Sequence, residues 1–516
     1  PARIRSERVS ASKRVLFATS NGTGLGHLTR SLALSARLDA SWEPLILTLS
    51  AAAPVVERLG RAVEYVASYD RPGAGNDLTW TLRTRERFRA AVREADPAVV
   101  VFDGTHPYER LLPALRAGGA PLVWCRRALW RSDADTAPLH RTHLFDAVLE
   151  PGEVGEGGTL GPTAERRAEA HVVDPIVLVR RADLLARDAA ARGLGLDPER
   201  PAVLVQLGQG AGVREATERA ITHLAGRGDV QVAALESTLA VLDPGPAGVI
   251  GLPATYPLAR FYRAFDAAVS AAGYNQVHEL AALGVPALYL PMRRDTDDQV
   301  ARAREAERAG VALAAAGPDD ASLEARLDEL VASPARERMT EALAALPEWN
   351  GAAEAAEWLV SLTSRQTRPS GPPPGSAPTP ARETPRTRAP AGVRARRAWI
   401  FVSTVPRTLL RVARQALTRP RARVHIVALG LPPDRHDAEV ERALADCGRP
   451  PEQVLVITDR LSFAFLLAAG AGFEHVPAEA SRQAELAGVP YERFRASRLA
   501  LIRARRPRPE RVIELS

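Results

Sequence analysis

The stretch "RVLFATSNGTGLGHLTRSLALSARL" sets Gly22, Gly24 and Gly26 directly ahead of His27, where an apolar run gives way to a helix-period segment. Glycines at such a place permit a tight turn and close backbone approach. The first N–H groups of the following helix then point, with the positive end of its dipole, at whatever lies above the strand. A phosphate or a developing negative charge suits that surface. A histidine at the same helix mouth has its pKa pulled below the free value of roughly 6.5, which leaves it neutral and able to accept a proton. A dinucleotide loop would have similar glycines, but it also wants an acidic residue about 20 positions on, at the end of the second strand. Here the second strand, "EPLILTLS", ends in Ser50, which argues against a nicotinamide or flavin.

A second constellation lies in "VSAAGYNQVHELAALGVPALYLPM", followed by "DTDDQVARA". The strand "AAVS" is expected to turn at Ala272 and Gly273 into a helix whose Tyr274, Asn275 and Gln276 offer free backbone donors to a diphosphate. Glu279, about one turn in, is placed to grip two vicinal hydroxyls of a ribose. Asp297, Asp298 and Gln299 follow the strand "PALYLP" as a cluster suited to sugar hydroxyls. Each piece alone has a plain structural reading: a strand-to-helix turn, a solvated glutamate, an acidic helix cap. Their order and spacing, with the histidine loop upstream, favour a single nucleotide-sugar site.

With these motifs the chain resembles the inverting GT-B glycosyltransferases that use nucleotide sugars, in particular the branch holding the bacterial lipid II-forming N-acetylglucosaminyltransferase and the antibiotic and sterol glycosyltransferases. The resemblance spans roughly residues 14 to 364 and rests on "NGTGLGH", "LGQGAG" at 207–212, "SAAGYNQVHELAALGVPALYLP" and "DDQ", with "VFDGTH" at 101–106 less distinctive. It implies two Rossmann-like domains facing across a cleft, the acceptor on the first and the donor nucleotide on the second. It further implies that Gly24, Gly26, Gly208, Gln209, Gly210, Gly273, Tyr274 and Asn275 approach the donor diphosphate. Leu252 would line the base, Glu279 hold the ribose, and Asp298 with Gln299 the donor sugar. His27 would be the general base that deprotonates an acceptor hydroxyl. Asp103, His106 and Arg126 are the acceptor-side candidates. In one respect the chain departs from the family: the histidine that some relatives place just before the "GGYN"-type turn is absent, since this chain reads Ser270, Ala271, Ala272.

The elements that must position these residues follow from the apolar pattern. Short aliphatic runs such as "RVLFATS", "EPLILTLS", "AVVVFDG" and "PLVWCRR" alternate with helix-period segments, the pattern of parallel strands buried on both faces. The same alternation resumes at "AVLVQLGQG" and continues through "PALYLPM". The fold class is therefore α/β, with a first Rossmann-like domain at 14–179 and a second at 180–364, after a flexible N-terminal arm at 1–13. A proline- and arginine-rich linker is expected at 365–395, and a small α/β module of unassigned role at 396–516. A tether of that composition implies a module that moves relative to the first two domains. In the module, His436 and Asp437 read as a helix start with Asp437 as its cap, and His475 as a strand-end residue.

Composition narrows the function classes. The formal net charge is +7, yet Lys13 is the single lysine and the arginines are spread along the chain, so the basic balance reads as compositional bias. Aromatics are too few and too seldom interleaved with arginine for a base-stacking surface, so no nucleic-acid partner is expected. The basic balance does allow peripheral contact with an anionic membrane. Two isolated cysteines suggest neither a disulfide framework nor a zinc site, and a cytoplasmic protein, at most peripheral to the inner face of the membrane, fits them best. "DAD" at 133–135 lies far from the donor motifs, so no cofactor or metal is expected; the donor, a UDP-sugar by the resemblance, is a substrate. A hydroxyl acceptor, on a lipid-linked or cell-envelope glycan or a secondary metabolite, completes the reaction. Two other readings share the donor site: a non-hydrolysing UDP-sugar 2-epimerase, which would need further first-domain acids near the sugar, and a non-catalytic nucleotide-sugar-binding protein.

Overall fold

A computed structural model describes residues 13–20, 25–69, 77–155, 157–208, 212–235, 249–252, 255–349, 351–365, 422–461, 463–504, 506 and 508–515. The expected N-terminal arm and linker lie outside the described residues, except Lys13 and Arg365, as do Gly24, Gln209 and Gly210.

The first sheet holds seven parallel strands: β1 (Lys13–Thr19), β2 (Trp42–Thr48), β3 (Ala62–Tyr65), β4 (Val99–Asp103), β5 (Leu122–Cys125), β6 (Ala147–Pro151) and β7 (His171–Val173). Their order is β3-β2-β1-β4-β5-β6-β7. Alternate residues of the aliphatic runs bury on opposite faces. Val15 and Phe17 pack with Leu28 and Leu32 on one side, while Leu16 and Ala18 pack with Phe88 and Val92 on the other. Successive side chains of a strand point to opposite faces, and both faces are covered, which is why the middles of β1 and β2 are apolar. The strand order reverses direction between β1 and β4, and a parallel sheet opens its ligand crevice at that point, beyond the strands' C-terminal ends. Ser20 and Asp103 meet there, the Ser20 N–H donating to the Asp103 carbonyl at 3.0 Å.

The second sheet repeats the plan with β8 (Ala202–Gln206), β9 (Gln231–Leu235), β10 (Val249–Leu252), β11 (Ala267–Ala271), β12 (Ala287–Leu290) and β13 (Ala312–Ala314), in the order β10-β9-β8-β11-β12-β13. Its reversal falls between β8 and β11, so the turns after Gln206 and Ala271 form the corresponding crevice. The chain passes from the first domain to the second near Asp174 and back before the helix Gly351–Arg365, whose Ala352, Ala355 and Leu359 join the first domain's core. This last helix was expected with the second domain; its apolar stripe instead completes a face of the first sheet. At the return crossing a Cβ on Gly351 would stand 1.9 Å from the Asp174 carbonyl, so only glycine lets the two crossovers touch.

Four further parallel strands, β14 (Val424–Ala428), β15 (Val454–Thr458), β16 (Gly472–His475) and β17 (Arg511–Leu515), form a third sheet in the order β16-β15-β14-β17. The expectation that this module moves freely is corrected by its interface with the first domain. The Tyr65 ring at the end of β3 lies 5.0 Å from Phe463 and 5.7 Å from Phe473. Glu64, fully buried, receives Arg87 at 3.1 Å and Arg498 at 2.8 Å. Arg87 also reaches Glu474 at 3.3 Å, and Arg482 reaches Glu43 at 2.7 Å. Charges removed from water stay only where partners meet them, so the ion network fixes one docked position. Within the module His436 is buried in the helix Pro433–Asp446 and contacts Thr458 at 2.8 Å. That helix starts at Pro433, so Asp437 lies inside it and is not its cap. His475 does end β16.

Candidate functional site

The two crevices face each other across one cleft of about 860 Å³. Two helix N-termini open on it: the helix Gly26–Ser35 from the first domain and the helix Tyr274–Leu283 from the second. The Asn275 amide donates to the Gly26 carbonyl at 3.3 Å and ties the two starts together. Helix starts carry unpaired N–H groups and a partial positive charge, so an anion bound between them meets donors from both domains. Gly208, also on the cleft, adopts φ +78°, a left-handed conformation that glycine enters without strain.

His27 is the second residue of its helix. Its Nδ1 stands 2.7 Å from Asp103 Oδ1 at the end of β4. Arg30, one turn further along the same helix face, donates from Nε to Asp103 Oδ2 at 2.9 Å. Burial alone would push the Asp103 carboxyl up, but Arg30 and His27 more than offset it and hold it below the usual carboxylate range. An ionised carboxylate at that distance accepts the Nδ1–H, which leaves the Nε2 lone pair available to the cleft. The imidazole pKa falls below its ordinary value because of burial, helped by Arg30 and Arg127 and opposed by Asp103. A neutral, oriented imidazole is the state a general base requires.

On the second-domain side, Glu279 is half-buried on the cleft, and burial pushes its carboxyl up to about 7. Asp297 and Gln299 also line the cleft. Asp297 accepts from Arg302 at 2.9 Å and stands 3.6 Å from Arg127 of the first domain. Arg302, fully buried, spans further to Glu153 at 2.7 Å. An alternating series of charges thus ties the two domains together: Arg127 of the first, Asp297 and Arg302 of the second, and Glu153 of the first. The Tyr256 hydroxyl adds a contact to Thr29 Oγ1 at 2.8 Å.

Several expectations are corrected. Asp298 is absent from the cleft lining; it caps the helix Gln299–Arg308, accepting from the Ala301 N–H at 3.0 Å, and Asp297 faces the cleft in its place. Leu252 is fully buried in the second domain's core, while Leu235 and Leu258 reach the cleft. Asp103 orients His27 from below and is only 1% exposed, too enclosed to touch an acceptor. Arg126 is buried against Glu150 at 2.9 Å, whereas its neighbour Arg127 lines the cleft. Tyr274 turns its ring inward, its hydroxyl accepting from the Ile176 N–H at 3.0 Å, so only its backbone faces the crevice. His106 does line the cleft and stands 3.2 Å from Thr296 Oγ1. Arg30 carried a signal that could have found it, namely its spacing of one turn from His27. Glu153 and Arg302 carried none.

Comparison with known proteins bears on this geometry. Residues 209–357 match the model of the glycosyltransferase family 28 C-terminal domain. Over 303 residues the chain is 30% identical to the UDP-N-acetylglucosamine--N-acetylmuramyl-(pentapeptide) pyrophosphoryl-undecaprenol N-acetylglucosamine transferase of Clavibacter sepedonicus, covering 55% of this chain and 76% of the relative. The chain belongs to glycosyltransferase family 28. A Nocardioides sp. member bearing the same name is 34% identical over 259 residues, 46% of this chain and 66% of that one. Among solved structures, the glycosyltransferase SnogD from Streptomyces nogalater aligns at 18% identity with a TM-score of 0.46, over 68% of this chain and 99% of that one. MurG of Acinetobacter baumannii aligns at 16% identity with a TM-score of 0.43, over the same shares. Family membership, together with the two facing α/β domains, makes this chain a nucleotide-sugar glycosyltransferase of GT-B fold with an additional docked module.

Proposed function

We propose that this glycosyltransferase moves N-acetylglucosamine from a UDP-linked donor to a hydroxyl of a lipid-linked acceptor, with inversion at the anomeric carbon. The observation that carries the reading is the His27–Asp103 pair opening onto the cleft beside the two converging helix starts. Asp103 keeps His27 in the tautomer whose Nε2 accepts the acceptor's proton. The acceptor oxygen then attacks from the first-domain side while the diphosphate leaves toward the second, and attack opposite the leaving group inverts the configuration. Charge growing on the leaving diphosphate is met by the N–H groups of both helix starts and the turn at Gly208. Glu279 accepts from the ribose hydroxyls; Asp297 and Gln299 hold the donor sugar. The nucleotide and the lipid-linked acceptor are supported by the printed activity of the family 28 relatives. No helix among the described residues is long and apolar enough to cross a membrane. A lipid-linked acceptor therefore implies docking at the membrane's inner face. The test supplies UDP-N-acetylglucosamine and a polyprenyl-pyrophosphoryl muramyl-pentapeptide and reads product mass and anomeric configuration. Full transfer by the His27→Ala variant, or a retained configuration, sinks the mechanism.

A further inference from the structure

A second cavity, of about 340 Å³, shares no lining residue with the cleft. It sits where the chain crosses between the two domains: Val179, Arg180 and Arg181 belong to the outgoing crossover, Trp349 to the return. The helices whose starts open on the cleft both end here, Arg37 lying just beyond Ser35 and Leu283 closing the other helix. The walls combine apolar surface with cations. Arg181 is committed to the backbone, donating to the Ala282 carbonyl at 2.5 Å and the Leu343 carbonyl at 3.2 Å. Arg180 is paired with Asp183 at 2.7 Å. Arg37 is different. It donates to the Leu178 carbonyl at 3.1 Å, and among the described residues no carboxylate lies within ion-pair distance of it. Burial and the neighbouring Arg180 both disfavour its charged form, Asp183 only partly opposing them. Two like charges held at one cavity, one without a carboxylate of its own, leave guanidinium donors for a third party. Glu348 lines the same cavity, and the two helix ends bring partial negative charge to it, so both set a limit on how much negative charge it accepts.

We infer that this cavity binds a small soluble organic anion, its phosphate or carboxylate on Arg37 and Arg180 and its apolar body against Trp349, Leu283 and Val179. The volume accommodates an anionic group with one ring but not a nucleotide sugar. The inference is independent of the donor and acceptor assigned above. It is tested on the full chain by calorimetric titration with phenyl phosphate and, separately, inorganic phosphate. Phenyl phosphate should bind saturably and more tightly than phosphate. Its affinity should fall about tenfold or more in Arg37→Gln, the scale of one lost charge-assisted bond, and also fall in Trp349→Ala. It should persist in Arg127→Gln, which removes a cation from the cleft. Circular dichroism of each variant confirms that it is folded. Absence of saturable binding, equal binding of the two probes, or loss in Arg127→Gln with retention in Arg37→Gln would overturn the inference.

Discussion

At the scale of single residues the site depends on one imidazole and three carboxylates, Asp103, Glu279 and Asp297. Removing the base, in His27→Ala, should lower the transfer rate about 10²–10⁴-fold, the usual span for a general base, while UDP affinity measured by calorimetry stays near wild type. Asp103→Asn keeps the shape but permits the other tautomer, and should cost about 10²-fold or more in kcat. Since His27 must be neutral to work and its pKa is lowered, the acid limb of kcat at saturating donor should have its midpoint below the free-histidine value of about 6.5. Arg127→Gln removes a neighbouring cation, so that acid limb should move to higher pH. Glu279 behaves oppositely. With its carboxyl at about 7, the charged form that grips ribose hydroxyls fills in as pH rises from 6 to 8, and UDP affinity should rise with it. In the unliganded protein that same charge is a burden: a folded pKa above the unfolded one means stability falls as pH rises through the interval between them. Glu279→Gln should therefore raise the melting temperature at pH 8 and leave it unchanged at pH 4, while weakening UDP.

At the scale of elements, much of the fold is legible in the sequence. The aliphatic runs became parallel strands because both faces of such strands are buried, and the glycine turns fell at the ends of β1, β8 and β11 because the ligand crevice lies there. His27, Glu279 and Gln299 line the cleft for the same local reason, each sitting in the first two turns of a helix that follows a strand. What was illegible needed distance in sequence. The Arg302–Glu153 pair joins residues 149 apart, and no local pattern announces it. Asp297 and Asp298 are adjacent in a row of acids, and only the start of the helix Gln299–Arg308 decides which of them caps and which faces outward. Leu252 failed because an apolar residue at a strand end satisfies the core as readily as a nucleobase. The crossover is similarly hidden, since a glycine in "WNGAAEAAE" reads as an ordinary helix start. Gly351→Ala should nonetheless destabilise by about 1–3 kcal/mol, the cost of overpacking, because its Cβ has no room beside the Asp174 carbonyl. Chemical denaturation measures it.

At the scale of the whole molecule, the third module behaves as part of the first domain. Arg498, fully buried, reaches Glu64 at 2.8 Å and Glu94 at 2.5 Å. Arg498→Met leaves Glu64 with Arg87 as its one remaining cation beside the Gln483 amide, and leaves Glu94 without its guanidinium; it should cost about 3–5 kcal/mol, as removal of one partner from a buried ion pair does. Calorimetry should show the transition of the first domain shifting together with that of the module. The helix Gly351–Arg365 packs on the first domain, and the module docks on that domain too. The chain therefore departs from and returns to a single body. Cutting the chain anywhere between Arg365 and Ala422 should then leave two fragments that co-elute on a sizing column, held together by the ion pairs of Glu64 with Arg498 and of Arg87 with Glu474.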